Sequence, residues 1–285
     1  MNVFLIGVGL IGGSFAKDLR TQYPDANFFG ISRREATLDK AVELGIIDHK
    51  ATMEDLSKAD VVILSIPVDV SVPVLVDVLD RISDNCLVFD AGSIKEPICE
   101  AVKSHTNRKN FLACHPIAGT EFSGPEAALE GLYKDKTMII CEVEATAFKL
   151  QEKAVELFRA IGMRIRYMNA KSHDKHIAYV SHLSHISSFM LGKTVIEKEK
   201  NENDIFDMAG SGFESTVRLA KSSPAMWTPI FAENKSNVIE ALEEYISNLT
   251  AFKKLMEDDA YEAVFNEMEQ TNKIKEILNG IPHNN

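Results

Sequence analysis

The chain has 285 residues, 45% hydrophobic and 26% charged, which allows one large domain or two ordinary ones and is too apolar for a disordered chain. Its formal net charge of −11 argues against a nucleic-acid or anionic-membrane surface, so a polyanionic ligand must be met by particular Arg and Lys side chains. No apolar run approaches a membrane span, and Cys86, Cys99, Cys114 and Cys141 show no C-x-x-C pair, which together suit a cytoplasmic protein in a reducing compartment.

In chain order, short β-branched runs alternate with amphipathic stretches. Strands are expected at residues 3–6, 27–31, 61–66, 86–90, 111–114, 137–141 and 164–168, with helices at 10–21, 35–44 and 72–82 among them. The N-terminal apolar run lacks a basic leader and a small-residue cleavage site, and Gly7, Gly9, Gly12 and Gly13 interrupt it, so it does not read as a signal peptide. The order predicts an α/β, doubly wound Rossmann-type domain over residues 1–168, its sheet mainly parallel with helices on both faces. Beyond it the pattern becomes long and helical, at 172–200, 213–221, 224–255 and 260–278. An all-helical domain over residues 169–285 is expected, and long amphipathic helices of this kind suit packing against a second copy, hence a homodimer. The tail after Gly280 is expected to fray.

Gly7-Val8-Gly9-Leu10-Ile11-Gly12 matches G-x-G-x-x-G between a strand and a helix, the setting in which the pattern means a dinucleotide. Gly7 permits the tight turn, Gly9 lets backbone approach a pyrophosphate, and Gly12 lets helix and strand pack closely. The helix start at Leu10 and Ile11 offers N–H groups to the phosphates. Ser65 and Pro67, around the end of the strand at 61–66, join this cofactor set. Where NAD enzymes carry an acid for the ribose 2′-OH, this chain has Ser32, followed by Arg33 and Arg34. A carboxylate there would repel a 2′-phosphate and guanidiniums would bind it, so NADP is favoured over NAD; a solvated loop charge is the competing reading, for Arg34 above all.

His115 follows the strand at 111–114 and should stand at its carboxyl end, where open α/β sheets bind ligands, with Pro116 and Gly119 restraining the backbone beside it. A loop histidine bonded to backbone is the plainer alternative. A Cys114–His115 nucleophilic pair is disfavoured, because adjacent strand residues face opposite sides. His182 and His185, three apart, share a helix face and read alone as core histidines or half of a metal site, and His173 and His176 repeat that spacing. No Cys or carboxylate cluster completes a metal site, so no metal is expected.

His115-Pro116-Ile117-Ala118-Gly119-Thr120-Glu121, Asp90-Ala91-Gly92-Ser93-Ile94-Lys95, Ser181-His182-Leu183-Ser184-His185 and Gly210-Ser211-Gly212-Phe213 running into Arg218-Leu219-Ala220 resemble, in this order over nearly the whole chain, the motifs of prephenate and arogenate dehydrogenases. The resemblance implies oxidative decarboxylation of a cyclohexadienol. Hydride passes to a nicotinamide, carbon dioxide leaves, and the ring becomes aromatic. It further implies that His115 takes or polarises the hydroxyl proton, with Ser93 hydrogen-bonding near the same hydroxyl or capping a helix. Arg218 would hold a substrate carboxylate, His185 would contact substrate with His182 as support, and Glu121 would tune the entrance by charge pairing, a solvated loop carboxylate being its alternative. The family often has an acid three residues before the arginine; this chain has Ser215 there, with Glu214 beside it.

The two histidines favour prephenate as substrate, whereas Ser32-Arg33 resembles NADP users among which arogenate enzymes are common. More distant alternatives are a hydroxyacid dehydrogenase of the 6-phosphogluconate type, which would leave His115 and Arg218 unexplained, and a non-enzymatic NADP sensor. With no further domain expected beyond the helical half, tyrosine feedback would have to act at the active site.

Overall fold

In the computed structural model residues 1–202 and 204–280 are described, so the fraying expected after Gly280 lies outside the described residues. Strands β1 (Asn2–Ile6), β2 (Asn27–Ile31), β3 (His49–Lys50), β4 (Val61–Leu64), β5 (Leu87–Asp90), β6 (Phe111–Pro116), β7 (Thr137–Cys141) and β8 (Arg164–Met168) form one eight-stranded sheet in the order β3-β2-β1-β4-β5-β6-β7-β8. β1 to β6 run parallel, β7 is antiparallel to β6, and β8 is parallel to β7. The central strands alternate their side chains between two cores. Val3, Leu5, Val61, Ile63, Leu87 and Phe89 enter one, whereas Phe4, Ile6, Val62, Leu64 and Val88 enter the other. A sheet buried on both faces explains why these strands read as continuous apolar runs.

Helices α1 (Leu10–Gln22), α2 (Glu35–Glu43), α3 (Val68–Arg81), α4 (Glu96–Ala101) and α5 (Phe148–Ala160) accompany the strands. α3 starts ahead of the expected residue 72 and runs through Pro73. The two-residue β3 was not expected: both its side chains are exposed, and only pairing with Phe29 and Gly30 defines it.

After β8, Asn169 caps α6 (Ala170–Ile177) by accepting the Ser172 N–H at 2.7 Å. A π-helical turn, Ala178–His182, leads into α7 (Leu183–Glu202), so the helix expected at 172–200 carries a widened turn. α8 (Ser211–Val217), a 3₁₀ turn (Arg218–Lys221) and α9 (Pro224–Glu233) follow. The helix expected to run unbroken from 224 to 255 is interrupted at Asn234. Its backbone leaves helical geometry (φ −109, ψ 27), and its buried side chain donates instead to the Asp174 carbonyl at 2.7 Å.

The chain divides into two compact units, Met1–Asn234 and Lys235–Asn285. The second holds α10 (Lys235–Glu257), α11 (Tyr261–Thr271) and α12 (Ile274–Gly280). Along them Ile246, Leu249, Phe252, Phe265, Met268 and Ile277 stay exposed. No described helix is long and apolar enough to cross a membrane.

Helix α1 meets the sheet closely enough to forbid a side chain at Gly12. A Cβ there would lie 2.2 Å from the Gly7 carbonyl oxygen and 2.3 Å from Ser65 Oγ. Gly12→Ala is expected to cost about 1–3 kcal/mol, or roughly 2–10 °C in Tm. A calorimetric Tm equal to that of the parent would contradict this account of the glycine.

Candidate active site

The Gly-rich turn is built by two kinds of constraint. Gly7 has φ +92, and a Cβ on it would sit 2.3 Å from the Ser65 carbonyl oxygen, so both backbone and space demand glycine. Gly9 is different. Its nearest neighbour to an added Cβ is Gly124 N at 3.9 Å, so protein packing does not require its bareness. It opens α1 with no side-chain cap, leaving the space and first-turn N–H groups that a pyrophosphate needs. The residues present therefore fit a dinucleotide.

The other cofactor candidates take distinct places. Leu10 and Ile11 use their carbonyls within the fold, accepting from Ser14 Oγ and the Tyr133 hydroxyl. Ser65 Oγ donates to the Gly7 carbonyl at 2.7 Å and so braces the turn, while Pro67 is the residue before α3. At the end of β2, Ser32 Oγ accepts the Arg34 N–H, and Arg33 and Arg34 are exposed. Beside them opens a cavity of about 320 Å³ lined by Ser32, Arg33, Glu35, Lys50, Thr52 and Asp55, among others. Lys50 is engaged by Glu35 and Asp39, whereas neither arginine forms an ion pair among the described residues.

The centre of the site rests on the Asp90-to-Lys95 segment after β5. Asp90 and Lys95 form a fully buried ion pair. Asp90 Oδ1 also accepts the Cys114 N–H at 3.0 Å, and Lys95 Nζ donates to the Cys114 carbonyl at 2.7 Å. Gly92 donates to Asp90 Oδ2, and a Cβ on it would lie 3.0 Å from that oxygen. These bonds clamp the ends of β5 and β6 and place Ser93 and His115 at neighbouring carboxyl ends. Lys95, not Ser93, occupies the residue before α4, so the helix-cap alternative for Ser93 is set aside; its hydroxyl makes no hydrogen bond among the described residues.

His115 is half-buried, with Nδ1 2.9 Å from His173 Nε2, and His173 Nδ1 lies 2.7 Å from Asp174 Oδ1. Asp174 in turn accepts the Lys95 N–H at 2.8 Å and the Glu96 N–H at 2.7 Å. Burial first, then His173, Lys95 and His182, hold the His115 imidazole well below its usual pKa, so it is neutral at pH 7. Cys114 is fully buried and its thiol is pushed far up, which removes the Cys114–His115 nucleophile. Burial likewise pushes the Cys86 and Cys99 thiols up to about 12. His173 and Asp174 were not anticipated as partners of His115, since no spacing pattern connects α6 with the end of β6.

Trp227, the sole tryptophan, organises the remaining histidines and was also not singled out in the sequence. His185 stacks on it with ring centroids 3.5 Å apart, and His182 meets it edge-on at 5.9 Å. His185 Nδ1 lies 2.9 Å from the Ser181 carbonyl and must donate to it, leaving Nε2 open. Burial, then Arg218, lowers its pKa. His182 is fully buried, Asn234 Nδ2 faces its Nδ1 at 3.3 Å, and burial pushes its imidazole down to about 4. Its Nε2 and Trp227 Nε1 have no hydrogen-bond partner among the described residues.

Arg218 is held by its flanks. Ser188 on α7 donates to the Thr216 carbonyl and accepts the Ala220 N–H, both at 3.1 Å. Glu121 lies 3.8 Å from the half-exposed guanidinium, so the carboxylate expected at the entrance is an ion-pair partner. Glu214 pairs with Lys221 instead, and Ser215 Oγ turns back to the Gly212 carbonyl, so neither replaces the family's missing acid.

A Gly-rich turn opening a helix, parallel strands ending beside a neutral imidazole, and a nearby arginine define a dinucleotide-dependent oxidoreductase. The family model "Prephenate dehydrogenase, nucleotide-binding domain" matches residues 15–167, and "Prephenate dehydrogenase, dimerization domain" matches residues 169–270. The chain belongs to the prephenate dehydrogenase family. It is 35% identical to the crystal structure of prephenate dehydrogenase from A. aeolicus in complex with hydroxyphenyl propionate and NAD+, covering 97% of both chains with a TM-score of 0.89. The crystal structure of Synechocystis arogenate dehydrogenase is 26% identical, covering 98% of this chain and all of that one, with a TM-score of 0.80. Prephenate dehydrogenase from Bacillus subtilis is 28% identical over 98% of this chain and 76% of its own length.

The buried neutral His182 makes a pH-dependent contribution to stability. Its folded pKa, about 4, lies below the unfolded value near 6.5, so unfolding takes up a proton between them. Stability is undiminished above about pH 6.5 and declines towards pH 4, by roughly 3 kcal/mol at most from this residue. Urea melts across that range should show a shallower decline for His182→Leu; an unchanged slope would contradict the assignment.

Proposed function

We propose that this chain oxidatively decarboxylates prephenate to 4-hydroxyphenylpyruvate, with His115 taking the ring hydroxyl proton. The observation that carries this reading is the neutral His115 imidazole at the carboxyl end of β6, with Nδ1 engaged by His173. A base for an alcohol must be unprotonated when the substrate arrives and within hydrogen-bond reach of the hydroxyl it deprotonates. A nicotinamide dinucleotide bound along the Gly7–Gly12 turn would accept the hydride. Ser93, whose hydroxyl has no partner among the described residues, is assigned a hydrogen bond to the substrate hydroxyl.

Arg218 is assigned to a substrate carboxylate. Its pair with Glu121 is loose and half-exposed, an arrangement worth only about 0–1 kcal/mol, so a better-placed carboxylate can displace it. Glu121 then keeps the guanidinium in place between turnovers. His185 offers Nε2 to the substrate side chain, and His182 supports it through Trp227.

Arogenate is the second reading, and one observation favours it. Because His185 Nδ1–H is spent on Ser181, the neutral ring presents an acceptor, which suits an ammonium group better than a keto group. Prephenate is preferred on the balance of the relatives, several of which bear that enzyme's name. For the cofactor, Ser32 in place of a carboxylate and the unpaired Arg33 favour NADP, although Glu35 and Asp55 line the same cavity. Residues 1–168 are assigned to cofactor binding, and residues 169–285 to substrate binding and homodimer formation. The uncovered apolar side chains of α10 to α12 support the dimer. A cytoplasmic site suits the buried, unpaired cysteines.

Initial rates with prephenate or arogenate against NAD+ or NADP+ should be highest for prephenate with NADP+. Equal substrate rates would overturn the preference for prephenate, reversed rates would replace prephenate by arogenate, and absence of turnover with all four combinations would support a sensor. His115→Asn should lower kcat by about 10²–10⁴-fold while substrate binding changes little. Arg218→Leu should raise the KM for substrate roughly tenfold, the modest factor reflecting the exposure of the guanidinium.

A further inference from the structure

We infer that His173, backed by Asp174, is a positioning residue that fixes the tautomer of His115 and so determines which of its ring nitrogens can act as the base. This rests on the reading of His115 as the base. Three side chains lie in line: Asp174 Oδ1 is 2.7 Å from His173 Nδ1, and His173 Nε2 is 2.9 Å from His115 Nδ1. His173 and Asp174 are each 2% exposed, so water does not compete for these contacts.

Hydrogen-bond arithmetic assigns the protons. The Asp174 carboxylate already accepts the backbone N–H groups of Lys95 and Glu96, and it has only lone pairs to offer. His173 Nδ1 must therefore be the donor in their contact. A neutral imidazole with its proton on Nδ1 has a bare Nε2, which can only accept. With His173 neutral, His115 Nδ1 donates to it, and the neutral His115 ring is left with its lone pair on Nε2. The opposite tautomer would put two lone pairs face to face at 2.9 Å. When a substrate hydroxyl gives its proton to His115 Nε2, the ring becomes an imidazolium still donating through Nδ1 to His173. No proton need travel further, and the new charge is met by an oriented acceptor chain ending in a carboxylate.

The arrangement also fixes the ring in space. His115 sits on β6 and His173 on α6, and the two rings meet edge-on with centroids 5.1 Å apart. Asp174 is anchored on the start of α4, which follows the clamped Asp90-to-Lys95 segment. A change at His173 should thus act on turnover through His115 rather than on substrate affinity.

The test uses full-length chain labelled with ¹⁵N-histidine, together with His173→Leu, His173→Gln and His115→Asn. In the parent at pH above 7, nitrogen NMR should show His115 protonated at Nδ1 and bare at Nε2, with a mixture of tautomers in His173→Leu. His173→Leu should lose on the order of 10²-fold in kcat, with KM values for substrate and cofactor within about twofold, and its acidic pH limb should shift. His173→Gln should recover much of that loss, because its amide oxygen accepts from His115 Nδ1 and its amide nitrogen donates to Asp174, as the imidazole does. A parent His115 protonated at Nε2, unimpaired kcat and pH profile in His173→Leu, or a His173→Gln as slow as the leucine variant would each overturn the inference. Should His173→Leu fail to fold, the parent spectrum and the glutamine variant still decide it. An inactive His115→Asn beside an unimpaired His173→Leu rejects only the positioning role; a fully active His115→Asn rejects the base and, with it, this inference.

Discussion

The buried ion pair between Asp90 and Lys95 is the constraint on which the active end of the sheet depends. Removing either partner would leave an uncompensated charge in the core, a loss of about 3–5 kcal/mol, so the pair is stable only as a complete network. Its completion requires the Cys114 backbone on β6 and the Gly92 amide in the loop, and both are supplied. Satisfying one charge therefore aligns two strand ends, positions Ser93 and leads the next residue into the site. That next residue is His115. The Lys95 and Glu96 amides then hold Asp174, which brings α6 and its histidine against the same strand end.

The site combines parts held with different firmness. His115 is fixed through a line of hydrogen bonds to buried partners, as the proton transfer proposed for it would demand. Arg218 sits on a 3₁₀ turn pinned through Ser188, yet its guanidinium is half-exposed and only loosely paired. In the roles proposed for them, a rigid base and an adjustable anchor would suit a reaction in which the substrate must enter and the product has lost a carboxylate. The Gly9 turn completes the arrangement by being bare where the protein itself has no need of it.

Much of this was readable in the residues. The two-faced parallel strands declared themselves as apolar runs because burial on both sides removes polar alternation. Gly7 and Gly12 were recognisable because close packing of backbone leaves glycine as the only choice. The motifs around Ser93, His115, His185 and Arg218 were legible as contiguous segments, and they fall after β5, on β6, on α7 and on the 3₁₀ turn. Their partners stayed hidden. His173, Asp174, Ser188 and Trp227 act across elements distant in sequence, and no periodicity records which helix will face which strand end. The break at Asn234 was equally hidden, since no proline or glycine stands there and its side-chain bond to Asp174 joins residues distant in sequence.

Local chemistry explains this division. By itself, the sequence determined the Rossmann-type half, the glycine turn, the helical remainder and the family, because backbone strain, strand burial and contiguous motifs are written in neighbouring residues. Only the tertiary structure decided that His182 is buried and neutral while His185 keeps one nitrogen open. It also decided that Glu121 rather than a neighbour on the same helix pairs with Arg218, and that a second histidine stands behind His115. Those facts concern which nitrogen carries a proton and which charge finds a partner. Both are set by groups brought within about 3–4 Å in space, a distance that chain position does not encode.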